Sequence, residues 1–365
     1  MRTILLLQHY TRLALFLFVL LHDNVSAQED LHYSQYDRFP LGANPALTGM
    51  GESSRAHFRF RAQESTPVFT QESGFVPNIT EDFDNFRRDS YRALSASYDK
   101  RIDLSGEDVL GIGLLIQSDQ TDQLRFGSRS AMLSAACSHI LLSNESSQHR
   151  LSYGIQAGTF QRRLNLFNAR FPSQDDGNGG FDPTIPAPIP PSFDSQFLHV
   201  GTAAGISLIS SFGDKKSMIL GLAVHHPLRP NVSFLGNTVR PNRIGRRLTV
   251  HGQGEWQIAE RLSILPSFFI VSQNEFIEGS LGNSLRYYMD ESRGRSVQIG
   301  AYFRMGNKDD DGLNDAQVLS AALNFSRLRI GLSYDATLDS AVTIPGTGDA
   351  LELTLIYIID SDDVN

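Results

Sequence analysis

The sequence predicts an all-β chain closed into a transmembrane antiparallel β-barrel of about 14 strands, with short periplasmic turns and long extracellular loops. Three observations carry that prediction: side chains alternate between apolar and polar with a period of two, the alternating segments are roughly 9 to 11 residues long, and their linkers mostly alternate between long and short. In "RAHFRFRAQ", Ala56, Phe58, Phe60 and Ala62 share one face while Arg55, His57, Arg59, Arg61 and Gln63 share the other. "RLTVHGQGEWQI" divides Leu248, Val250 and Trp256 from Thr249, His251 and Glu255 in the same way, and "RLSYGIQAGTFQR" and "SVQIGAYFRM" repeat the pattern. Successive side chains point to opposite faces only in an extended strand. A soluble sandwich would also show one greasy and one polar face, but it has no reason to keep its long loops on one side.

Taken in chain order, the first 27 residues read as a cleaved signal peptide. Arg2 and Arg12 lead into the apolar run 13–21, and Val25-Ser26-Ala27 supplies the small residues that signal peptidase requires. The run falls short of the roughly 20 residues a membrane helix needs, and no later stretch has 18 consecutive apolar residues. Cys137 is the only cysteine, so an intrachain disulfide is excluded and the residue reads as a small wall side chain. A net charge of −8 without a basic cluster argues against nucleic acid. Thirty glycines and 10% aromatics suit a β-rich chain.

Residues 28–54 form an irregular, aromatic leader. Pro40 and Pro45 lack donors and hold Phe39 and Asn44 extended, while Gly42 and Gly49 permit turns. Phe39, Leu41 and Leu47 offer apolar contacts, so the segment reads as a periplasmic or plug-like element. The barrel follows over 55–359. Strands are expected near 55–63, 91–99, 109–119, 128–140, 150–162, 197–210, 217–226, 246–257, 262–273, 276–289, 296–305, 317–325, 328–334 and 350–359. Long linkers are expected at 64–90, 164–196, 227–245, 306–316 and 336–349, and short ones at 211–215, 259–260, 291–295 and 326–327. An acidic tail, 360–365, closes the chain. Arg59, Arg61, Arg247 and Glu255 fall on the polar parity of their strands and are expected to face the lumen.

"HYSQYDRFPLGANPALTGM" resembles the N-terminal signature of the PorP/SprF family, outer-membrane proteins of the type IX secretion and gliding machinery of Bacteroidota. The residues carrying the resemblance are Ser34, Gln35, Tyr36, Pro40, Leu41, Asn44, Pro45, Ala46, Leu47, Thr48 and Gly49. "GLAVHHPLRPN", "LRIGLSYDATLDS" and "LELTLIY" resemble later blocks of that family in order. The chain departs from the family in having Phe60-Arg61-Ala62-Gln63-Glu64 where an aromatic stretch is usual, and an acidic end instead of a terminal aromatic. The resemblance implies a barrel in outer-membrane lipid that supports export or surface anchoring of a large adhesin-like protein through its C-terminal domain. It also implies periplasmic type IX partners, with the N-terminal motif as a docking element. A channel or solute transporter is the alternative.

Other constellations read more simply. His225 and His226 are adjacent on a strand and point to opposite faces, which is no metal site. Asn307, Asp309, Asp311 and Asp315 resemble the start of a calcium loop, but Val318 stands where the bidentate Glu belongs, so a solvated acidic turn is the reading. The Pro- and Gly-rich loop 171–195 carries Phe171, Phe181 and Phe193 as a candidate partner surface or mobile cover. No nucleophile with a base in motif spacing exists, so neither an enzyme nor a cofactor is expected.

Overall fold

The computed structural model describes residues 31, 33–51, 54–63, 91–104, 107–121, 126–166, 171–175, 182, 184–213, 216–235, 242–290, 294–308, 312–337 and 349–359, with the side chains of 307–308 and 312–315 excepted. The expected signal peptide, the acidic tail, Phe181, Asp309 and Asp311 lie outside the described residues, as do the side chains of Asn307 and Asp315.

Fourteen strands close into one barrel in which every strand pairs antiparallel with its neighbours in sequence. They are β1 (Ser54–Gln63), β2 (Tyr91–Asp103), β3 (Val109–Gln120), β4 (Gly127–Asn144), β5 (Ser147–Arg163), β6 (Gln196–Phe212) and β7 (Lys216–His225), followed by β8 (Arg247–Ala259), β9 (Leu262–Gln273), β10 (Phe276–Asp290), β11 (Arg295–Lys308), β12 (Gly312–Phe325), β13 (Leu328–Thr337) and β14 (Ala350–Ile359). Closure runs from Ser54 opposite Ile359 to Gln63 opposite Ala350, so no strand edge is left unpaired.

The outer face is apolar and bare: Leu133 is 69%, Ile155 65% and Leu198 65% exposed. The chain neighbours Ser134 and Gln156 are buried inside, as are Ser152 and Ser207. A sheet with greasy residues outside and buried hydroxyls inside is a membrane barrel, because lipid covers the outer face. Tyr98, Tyr153, Trp256, Tyr287 and Tyr357 stand exposed toward the short-turn ends of their strands, where an interfacial aromatic girdle belongs.

The expected loop over 306–316 is corrected. β11 continues to Lys308 and β12 begins at Gly312, with Asn307 opposite Leu313. Ladder hydrogen bonds do not require apolar side chains, so a hairpin continues through a polar Asn- and Asp-rich stretch where the alternation signal has vanished. The long-loop end also carries a tight turn, Asn274–Glu275, between β9 and β10. Asn274 takes a φ of 54° there, a conformation Asn accepts more readily than most residues. Long and short connections therefore alternate less strictly than the linkers suggested.

Candidate functional site: the plugged lumen

The chain from Ser34 to Met50 runs inside the barrel as three short helical turns, Tyr36–Arg38, Pro40–Ala43 and Pro45–Leu47. Each proline begins a turn, where its missing N–H costs nothing. Asn44 is extended between them, and its side-chain oxygen caps the last turn by accepting from Ala46 N at 2.9 Å. Thr48 closes that turn by donating to Pro45 O at 2.7 Å. Gly49, at a φ of 68°, turns the chain toward β1 and donates its N–H to Asp99 at 2.8 Å.

Turns this short leave most of their carbonyls without internal partners, and the polar wall receives them one at a time. Arg59 donates to Gln35 O, and His57 to Arg38 O at 3.2 Å. Gln156 reaches Leu41 O at 3.0 Å, Arg247 reaches Gly42 O at 3.3 Å, His225 reaches Ala43 O at 3.4 Å, and Ser152 reaches Ala46 O at 2.6 Å. The Asn44 amide donates into a ring of acceptors: Ser207 Oγ at 3.0 Å, Ile206 O and His251 Nε2 at 3.1 Å, and Leu222 O at 3.3 Å. Because Asn44 donates, His251 Nε2 accepts and the ring proton sits on Nδ1.

Wall glycines make room for this backbone. A Cβ on Gly111 would stand 2.0 Å from Thr48 O, one on Gly154 2.4 Å from Pro45 O, and one on Gly205 1.9 Å from the Asn44 side-chain oxygen. The leader and these wall positions are thus a fitted pair.

Beside the first turn lies a buried charge cluster. Arg61 bonds Asp335 at 2.9 Å and approaches Glu352 at 3.5 Å; Arg59 lies 3.4 Å from Glu352 and Arg304 2.7 Å from Asp335. The leader enters the cluster directly. Ser34 N and Gln35 N donate to Glu352 at 2.9 and 3.1 Å, and Ser34 Oγ donates to Asp335 at 2.5 Å. The Arg59 guanidinium also covers the Tyr33 and Phe39 rings at 4.7 and 4.8 Å. Tyr36 stacks on Phe269 at 4.6 Å and donates to Ser267 at 3.2 Å. Burial pushes the Tyr33 phenol up to about 12 and raises that of Tyr36 as well, so both remain neutral hydrogen-bonding groups at physiological pH.

The ten motif residues singled out in the sequence come together as this plug. Nine are buried and Pro40 is partly so, so in this arrangement their side chains do not form an outward docking surface. The reason is the unmet hydrogen-bonding capacity of their backbone, which the polar wall satisfies. Arg59, Arg61, Arg247 and Glu255 all face the lumen; Glu255 is held by Arg286 at 2.6 Å and by Tyr288 at 2.5 Å. Asp335, Glu352 and Asp99 were missed, although Asp335 and Glu352 sit on the polar parity of "LSYDAT" and "LELTL". His225 serves the plug, and no metal-binding group of three ligands occurs among the described residues. Phe193 stacks on Phe234 at 5.8 Å, and Phe234 also meets Phe197 and Phe126. Phe193 therefore packs within the loop end.

Comparison with known proteins gives one family. The model for type IX secretion system membrane protein PorP/SprF matches residues 25–357. No match was found among curated proteins. Among solved structures, the CymD monoaromatic hydrocarbon channel is 10% identical at a TM-score of 0.47, over 92% of this chain and 95% of that one. The Pseudomonas putida toluene transporter TodX is 9% identical at 0.43, over 92% and 98%. CdiB from Escherichia coli is 11% identical at 0.43, with 83% of this chain spanning 63% of that one.

Proposed function

The chain belongs to the PorP/SprF family of type IX secretion system membrane proteins, and from that premise we propose that it supports export or surface anchoring of a large surface protein bearing a C-terminal signal domain. Family and fold are those of a secretion or transport barrel in the outer membrane, not of an enzyme family. The observation that carries the reading is the plug. A barrel serving free solute diffusion keeps its lumen open, whereas here a dedicated leader runs through the lumen and is received carbonyl by carbonyl. By the usual orientation of such barrels, the short turns, the start of β1 and the end of β14 face the periplasm. Type IX partners would then meet the short-turn rim, and the client's C-terminal domain would be held at the membrane. A signal peptide over residues 1–27 supplies export of the chain itself.

Affinity purification of the tagged protein from mildly solubilised outer membrane, with mass spectrometry of the bound material, tests this. Recovery of one large surface protein through its C-terminal domain is the expected result. A bare barrel that conducts ions in planar bilayers would replace the proposal with a solute channel.

A further inference from the structure

Below the plug, toward the short-turn end, the lumen opens into two adjoining cavities of about 180 and 300 Å³. Each is several times the roughly 30 Å³ that a water molecule occupies in the liquid. Arg38 from the plug and Arg329 from β13 line both cavities, Arg55 of β1 lines the first, and Arg286 of β10 the second. Two of the four are already paired: Arg55 with Asp99 at 2.6 Å and Arg286 with Glu255 at 2.6 Å. Arg38 and Arg329 have no carboxylate within ion-pair distance among the described residues.

These two guanidiniums are neighbours by construction. The Arg38 side chain lies across Gly331, where an added Cβ would meet its Cδ and Nη1 at 3.3 Å. Gly331 and Arg329 are two apart on β13, so both face the lumen. The one remaining acid on the cavity wall is Asp37, beside Arg38 in sequence. Two unpaired guanidiniums against one carboxylate leave an excess positive charge in a partly enclosed site. Like charges held together repel unless an anion lies between them.

We infer that this vestibule is a binding site for an oxyanion, a carboxylate or a phosphate entering from the short-turn end, gripped by Arg38 and Arg329. Guanidinium forks match both groups bidentately. Since Arg38 belongs to the plug, an anion here also ties the plug to β13. The site deepens the proposed function by giving acidic chain segments a place to enter, and it rests on that reading only for the identity of the donor.

The test uses the full-length barrel in detergent, titrated calorimetrically with inorganic phosphate and separately with a tetra-aspartate peptide. At least one probe is expected to bind, with affinity falling as salt rises. Arg38→Gln and Arg329→Gln are expected to weaken binding at least tenfold, while Lys216→Gln, an exposed lysine at the same end, changes nothing. Arg329→Lys keeps the charge and retains measurable binding, which guards against a variant that merely misfolds. Binding of both probes in competition marks a general oxyanion site, and binding of the peptide alone marks a carboxylate site. Failure of both probes, or equal binding to wild type and both glutamine variants, overturns the inference. No client protein is needed, so this outcome is independent of the affinity purification.

Discussion

At the scale of single residues, the lumen depends on groups that are buried only because each has a partner. Asn44 is the clearest. Asn44→Ala removes a cap and strands the acceptors around it, which is expected to lower stability by about 2 kcal/mol. Asn44→Asp is expected to do worse despite its shape, since it sets a carboxylate against the carbonyls of Ile206 and Leu222. Heat-modifiable gel mobility in a denaturant series reads both. Asp335 holds two arginines, so Asp335→Asn leaves buried positive charge uncompensated and should cost about 3 kcal/mol or more. The same mobility assay checks it, with Arg101→Gln at the surface pair with Asp103 as a near-neutral control.

At the scale of elements, the two faces of each strand answer to different solvents. Leu133 faces lipid and its neighbour Ser134 faces Thr48 of the plug at 2.6 Å. Leu133→Arg is expected to destabilise the barrel by about 2–4 kcal/mol if it sits near the bilayer midplane, and less toward either interface; urea titration in lipid vesicles reads the difference. Gly205→Val acts from the other side. Its side chain would enter the space of the Asn44 amide, so the expected result is a folded barrel with a displaced leader. A cysteine placed at Ala46, buried in the wild type, should become reactive to a water-soluble maleimide only when Gly205→Val is also present.

For the whole molecule, strand number and plug belong together. Eight strands leave only room for side chains, while 16 to 18 leave an aqueous channel. Fourteen fall between, and the space is filled here by a segment of the chain itself. Deleting residues 33–50 is therefore expected to leave a closed barrel that conducts ions, where the intact protein is silent. Single-channel recording in planar bilayers distinguishes them, and conductance in the intact protein equal to that of the deletion would show that the leader does not seal the lumen.

The sequence by itself determined the barrel. Period-two alternation in "RAHFRFRAQ" and "SVQIGAYFRM" sets which side chain meets lipid, and that follows from strand geometry alone. Parity likewise placed Arg59, Arg61, Arg247 and Glu255 inside. The same parity marks Asp335 and Glu352 as inward, and it fades at the polar stretch where Asn307 pairs with Leu313. What only the tertiary structure decided was the fate of the leader and the partners of the buried charges. An irregular segment rich in proline carries no period, and its position depends on a lumen whose volume exists only once fourteen strands have closed. The pairing of Arg61 with Asp335, 274 residues away, follows from that same closure, which brings β1 and β13 to the two sides of β14.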